Sequence, residues 1–309
     1  MPSALPDLPL RELECFVAVS ESLHFGRAAE RLGVSQGRVS QMIKRLESRV
    51  GASLFVRTSR TVALSEIGAE LAARAVPALA ELRAGFDAAQ ALAGSPERPL
   101  RIGFQCTVYD SVAEVVATLP AGAVQLVELP WADPFGKLQS GEIDLGLVLA
   151  PNREPGLRQL LEFSPQPQFV ALAKGHPLAG KESITLRELS RVPLIRPGSA
   201  APEYWRDAIA PLQPAAGTEL HHADTAHTLA EALSMVATRQ AGVLVCEASV
   251  AYMPRPDVTY VPVPELPIST LIALATDRVP QHPLAAEFIT RLRVAVHSEP
   301  LREPALPRS

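Results

Sequence analysis

Between Phe25 and Leu46, apolar residues return every three or four positions in two separate registers, Ala28, Ala29 and Leu32 in the first and Val39, Met42, Ile43 and Leu46 in the second. That spacing puts each set on one face of a helix. The break between them, Leu32-Gly33-Val34-Ser35, predicts a tight turn in which Gly33 takes a positive φ and Ser35 caps the second helix. Ala29 is small where two helices cross closely, and Val39 lies where the second helix plugs the angle between them. This is a helix-turn-helix spacing, although an ordinary helical hairpin has the same periodicity. Downstream, Leu54-Phe55-Val56 and Val62-Ala63-Leu64 can pair as short strands around Arg57-Thr58-Ser59-Arg60, forming a wing, and Ser65 can cap a long helix. Along 65–93, Ile67, Leu71, Ala75, Leu79, Leu82, Phe86 and Ala89 make an apolar stripe. A helix projecting from so small a domain needs a partner helix to cover it, or else folds back on its own domain. Pro77 should kink that helix or divide it into two pieces.

Beyond residue 97 the pattern changes. Short apolar runs at 100–104, 124–129, 145–149, 169–173, 242–245, 258–263 and 271–275 read as buried strands. Helical patterns at 110–119, 133–140, 202–209, 225–238 and 283–296 alternate with them. Such alternation implies an α/β fold with crossover connections, which binds ligands beyond the carboxyl ends of its strands. Proline sharpens the division. Of 29 prolines, only Pro77 falls between Leu10 and Ser95, while twenty-four follow Glu97. The first part is therefore nearly all helix and the second rich in turns. The segment 94–99, Gly-Ser-Pro-Glu-Arg-Pro, has the composition of a hinge, and 298–309, with three prolines and no apolar period, that of a loose tail.

A length of 309 residues suits two domains. The formal net charge of -4 conceals a polarity, because residues 23–64 carry eight basic and two acidic side chains, +6, and leave -10 for the remainder. The basic stretch coincides with the helix-turn-helix pattern. Arg27, Ser35, Gln36, Arg38, Ser40, Gln41, Lys44 and Arg45 lie at the start of the second helix, opposite its apolar stripe or on the helix before it, and Arg57, Ser59 and Arg60 lie at the wing. Such side chains donate to phosphates and base edges. No apolar run reaches the roughly 18–20 residues of a spanning helix, and the first ten residues do not read as a signal peptide, so no membrane partner is expected. Three scattered cysteines point to neither a disulfide framework nor a metal finger and suit a reducing cytoplasm. No G-x-S-x-G, P-loop or G-x-G-x-x-G is present, so no enzymatic role and no cofactor are expected. A solute receptor without regulation, or an architectural DNA binder without a ligand, are the competing classes.

Phe16, Phe25, Ala28-Ala29-Glu30-Arg31-Leu32, Val34-Ser35-Gln36, Ser40, Ile43, Leu46-Glu47, Gly51, Leu54-Phe55, Arg57 and Gly68 together resemble the winged helix-turn-helix of the LysR-type transcriptional regulators. Gly37 departs from the proline or other helix-compatible residue common there, so no base preference is carried over. In the second part, Gly141-Glu142-Ile143-Asp144-Leu145-Gly146-Leu147 and 235–245 resemble the family's regulatory domain, itself similar to periplasmic solute-binding proteins, with Gln240 where glycine is more usual. The resemblance implies an N-terminal all-α winged helix-turn-helix domain (1–64), a linker helix that dimerises (65–93), the hinge (94–99) and an α/β regulatory domain (100–297). That domain would have lobe I at about 100–156 and 269–297 and lobe II at about 157–268. It further implies double-stranded DNA, a small-molecule effector and RNA polymerase as partners, and a homodimer assembling to a homotetramer.

By lobe order the effector cleft is expected to take Gln105, Cys106, Thr107, Trp131, Arg196, Ser199, Asp224, Thr225 and Cys246. Gln105 and Thr107 precede a helix start, whose free N–H groups favour an anion. Arg196 could pair a carboxylate, or be a surface charge; Trp131 could be an aromatic platform, a lid or a core residue. An anionic or aromatic effector follows. His221, His222, Asp224 and His227 could gather a transition metal, but read more simply as a strand end and helix cap, so no metal is expected. Cys106 and Cys246 could form a thiol redox switch or be buried small hydrophobes.

Overall fold

The computed structural model of the chain describes residues 9–57, 62–92, 98–215, 217–239, 241–277 and 282–298, and divides into two compact units, Met1–Ala89 and Gln90–Ser309. Three helices open the first unit: α1 (Leu10–Ser22), α2 (Phe25–Leu32) and α3 (Gln36–Val50). Ser35 caps α3 by accepting from the Arg38 N–H, and Gly33 takes φ +64° in the turn before it. Strands β1 (Phe55–Arg57) and β2 (Val62–Leu64) pair antiparallel, Phe55 opposite Leu64 and Arg57 opposite Val62. The core of this unit is Phe16 and Phe25 against Phe55, ring centroids 5.5 and 5.9 Å apart, closed over by Val39, Ile43, Leu46 and Leu54.

Helix α4 (Glu66–Leu92) runs through Pro77 without interruption, so the expected division into two pieces does not occur. Its stripe is split instead. Leu71, Ala75 and Leu79 pack into the core of their own unit, whereas Ile67, Leu82 and Phe86 are exposed, Phe86 at 65%.

The second unit holds two five-stranded sheets. The first has the order β4-β3-β5-β12-β6, from β3 (Leu100–Phe104), β4 (Val124–Glu128), β5 (Leu145–Leu149), β6 (Leu157–Glu162) and β12 (Leu271–Thr276). The second has the order β11-β7-β10-β8-β9, from β7 (Gln168–Ala173), β8 (Leu194–Pro197), β9 (His222–Ala226), β10 (Gly242–Cys246) and β11 (Val258–Pro262). Central strands such as β10 are buried along their whole length, as continuous apolar runs require. Strand β4, expected to be buried, is an edge strand with Gln125, Leu126 and Glu128 exposed. Because β6 pairs with β12, lobe I continues to about residue 162 rather than ending near 156.

Helices α5 (Asp110–Ala117), α6 (Gly136–Gln139) and α11 (Pro283–Ser298) accompany the first sheet; α7 (Leu186–Leu189), α8 (Glu203–Ile209), α9 (Leu229–Thr238) and α10 (Glu247–Tyr252) belong to the second. Helix α9 begins four residues later than the pattern predicts, since β9 extends to Ala226 and Thr228 caps the helix by accepting from the Glu231 N–H. The chain passes between the sheets twice, and the two crossings are tied by the paired backbones of Gln166 and Ser269. Where the unit begins, Asp144 takes two 2.7 Å bonds from the Arg98 guanidinium and one of 2.8 Å from the Arg101 N–H. Burial raises the pKa of this carboxyl, but those donors outweigh it and hold it below the usual range. The tail beyond residue 298 and hinge residues 94–97 lie outside the described residues.

Candidate nucleic-acid interface and ligand cavity

In α3 the buried residues Val39, Ile43 and Leu46 occupy one arc, which fixes the opposite arc outward. Gln36, Arg38, Gln41, Lys44 and Arg45 are exposed there and Ser40 is half-buried. Ser35 is exposed, with its hydroxyl oxygen engaged as the cap. Helix α3 starts at Gln36 and runs through Gly37 at its second position. Arg27 differs from expectation. It is half-buried and its guanidinium donates to the Ser22 carbonyl at 2.5 Å, closing the end of α1 rather than standing free for a phosphate. Arg57 closes β1, next to the tip residues Ser59 and Arg60, which lie outside the described residues.

In the second unit a cavity of about 30 Å³ lies between the lobes. Gln105, Cys106, Thr107 and Trp131 line it from the first lobe and Cys246 from the second. Cys106 sits at φ +63° in a three-residue turn closed by the Thr107 N–H donating to the Gln105 carbonyl at 2.6 Å. A non-glycine residue held there is strained by about 1–3 kcal/mol. Trp131 is a buried wall, only 3% exposed. Burial pushes the Cys106 thiol up to about 12, with Cys246 and Glu128 adding to it. Burial likewise drives the Tyr109 hydroxyl well above its ordinary value. Both shifts mark a low-dielectric space. Direct contacts join the lobes beside it, two of them to backbone carbonyls. The Trp205 Nε1–H donates to the Leu149 carbonyl at 2.7 Å, and the Ala132 N–H to the His227 carbonyl at 3.0 Å.

Residues 10–69 match the family profile described as bacterial regulatory helix-turn-helix protein, lysR family, and residues 93–296 match that of the LysR substrate binding domain. The chain belongs to the LysR family. Among its LysR-family relatives, the HTH-type transcriptional regulator BudR of Raoultella terrigena is 29% identical over 289 residues, 91% of this chain and 99% of BudR. The regulator AlsR of Bacillus subtilis is 35% identical over 203 residues, 64% of this chain and 66% of AlsR. The crystal structure of full-length CbnR complexed with its target DNA superposes with a TM-score of 0.54 at 22% identity, covering 93% of this chain and all of that one, and so shares the fold. This LysR-family protein is a DNA-binding transcriptional regulator with an effector-binding domain.

Four residues expected at the effector cleft of this LysR-family chain do not line the cavity. Arg196 is 9% exposed and turns toward α8, where it pairs with Asp207 at 2.8 Å and Glu203 at 3.4 Å, both on its own lobe. Asp224 pairs with Arg239, and Ser199 and Thr225 face solvent. His221, His222, Asp224 and His227 do not come together as ligands, and among the described residues no metal-binding group of three or more His, Cys, Asp or Glu occurs. The cavity instead takes Tyr109, Gln168, Ser249 and Ser269, which the sequence pattern did not single out. Gln168 and Ser269 stand where the chain crosses between sheets, and no local periodicity marks such crossings. The only signal is the repeated Pro-Gln of Pro165-Gln166-Pro167-Gln168. No helix among the described residues is long and apolar enough to cross a membrane.

Proposed function

We propose that this LysR-family regulator reads a specific DNA site with the exposed arc of α3 and is controlled by a small molecule that enters the cavity between its lobes. The observation carrying the reading is that one buried stripe, Val39, Ile43 and Leu46, turns Gln36, Arg38, Gln41, Lys44 and Arg45 outward together. In the proposed division of labour, Gln36, Arg38 and Gln41 meet base edges in the major groove. Ser35, Ser40, Lys44, Arg45, Arg57, Ser59 and Arg60 meet phosphates, and Arg27 supports the fold beneath them. The exposed Ile67, Leu82 and Phe86 of α4 support a dimer built on that helix, two of which would form a tetramer on an interrupted inverted repeat. The regulator would act in the cytoplasm, with RNA polymerase as its target, and catalyse no reaction.

Ligand control requires that the effector bind one arrangement of the lobes better than another. The cavity is too small for more than about one water, so a ligand has to part the lobes, straining the contacts at Leu149 and Ala132. Thiolate chemistry at Cys106 is disfavoured by the burial that raises its pKa.

Binding of the full chain to its operator, followed by anisotropy over a salt series, tests the DNA half. Gln36→Ala and Arg38→Ala should each reduce discrimination between operator and mutated sites by about 1–3 kcal/mol. Arg57→Ala should weaken binding to all sequences alike and lower the salt slope by about 1. Equal losses on every sequence for all three variants would contradict the division.

A further inference from the structure

Gln105 carries an unmet donor. Its Oε1 accepts from the Leu149 N–H at 3.1 Å, which fixes the amide, because a backbone donor must face the oxygen and not the nitrogen. The Nε2 therefore points the other way, buried and without a hydrogen-bond partner, on a residue 7% exposed that lines the cavity. A buried donor left unpaired is costly and favours whatever acceptor can reach it.

Most of the other polar side chains of the wall are engaged with one another, Thr107 bringing a hydroxyl beside Gln105. Gln168 Nε2 donates to Ser269 Oγ, the Tyr109 hydroxyl accepts from Gln166 Nε2 at 3.2 Å, and Cys246 Sγ lies 3.7 Å from Ser249 Oγ. No Lys, Arg, His, Asp or Glu lines the cavity. Nor is the start of α5 open to an anion. Asp110 places a carboxylate in its first turn and gives its own N–H to the Tyr252 hydroxyl at 3.1 Å. An anion brought here would lose its water without gaining a cation, and Glu128 already disfavours negative charge at Cys106.

Building on the reading of this cavity as the effector site, we infer that the effector is a small uncharged molecule, apolar apart from a carbonyl-type acceptor, and that Gln105 recognises that acceptor through Nε2–H. Leu149, Ile209 and Leu229 with Trp131 supply its apolar surroundings. Leu149 is also the residue whose carbonyl takes the Trp205 indole, so a ligand on Gln105 sits one residue from a contact that holds the lobes closed. This replaces the anionic effector expected from Arg196 and from the helix start after Gln105 and Thr107.

The test uses the full chain and near-isosteric pairs differing in charge, butanone against propanoate and pinacolone against pivalate, titrated by calorimetry and by the tryptophan fluorescence of Trp131 and Trp205 together. The ketones should bind at least ten-fold more tightly than their carboxylates, and Gln105→Met should weaken ketone binding at least ten-fold. Carboxylates binding as tightly as the ketones, a ketone Kd unchanged in Gln105→Met, or no binding by either class overturns the inference. Should Gln105→Met fail to fold, the wild-type ketone-to-carboxylate ratio decides alone. A carboxylate that binds and alters operator affinity sinks this inference and leaves the regulator reading standing. Cavity ligands that bind but never alter operator affinity sink the reading of this cavity as the effector site.

Discussion

His222 is held in a setting that resists protonation. Both its ring nitrogens are buried without a hydrogen-bond partner, and burial, then the positive charge of Arg196, lower its pKa to about 4, Asp207 opposing in part. An unfolded chain takes up that proton once the pH falls below about 6.5, whereas the folded chain stays neutral until about 4. Stability from this residue is thus complete above pH 6.5 and lost as the pH drops toward 4, with a slope of at most about 1.4 kcal/mol per pH unit. Urea midpoints measured between pH 7 and 4.5 should fall less steeply in His222→Gln than in the wild type; parallel slopes would show that His222 does not carry the effect. Nothing in the local pattern announces this. The same is true of Arg196, whose partners Glu203 and Asp207 come from the following helix. Ser35 and Gly33 were legible because their roles depend on neighbours one to three residues away.

At the level of elements, the joint between wing and long helix rests on a glycine. A Cβ on Gly68 would lie 2.0 Å from the Leu54 carbonyl oxygen, the same oxygen that accepts from the Ser65 N–H at 2.9 Å. Gly68→Ala must therefore push α4 off the strand beside it, at a cost of about 2–3 kcal/mol. Gly85, on the same helix with nothing within 4 Å, is the control; alanine there should stabilise by up to about 1 kcal/mol. Hydrogen exchange of α3 amides in the full chain separates the two, and equal protection in both variants would refute the joint. Elements with strong periodicity or unbroken apolar runs, such as α3, β5 and β10, are readable from sequence. Strand β9, His-Ala-Asp-Thr-Ala, is an edge with no apolar face, and β6 bulges against β12 near Ala273 and Leu274. Such strands exist through pairing partners far along the chain, and no pattern within them shows it.

For the whole molecule, the small net charge resolves into a basic reading unit and an acidic remainder. A positive patch attracts any phosphate backbone, while negative charge elsewhere discourages non-specific wrapping. On the proposed reading, specificity comes from the outward arc of α3, and a dimer built on α4 would duplicate that arc and set the form of the site. Sequencing the duplexes that the full chain retains from a random DNA pool tests this directly. The wild type should enrich an interrupted inverted repeat, and the Gln36→Ala, Arg38→Ala double variant should retain DNA with that repeat degraded. Retention of an unenriched pool by the wild type, or the same repeat from both proteins, would contradict it.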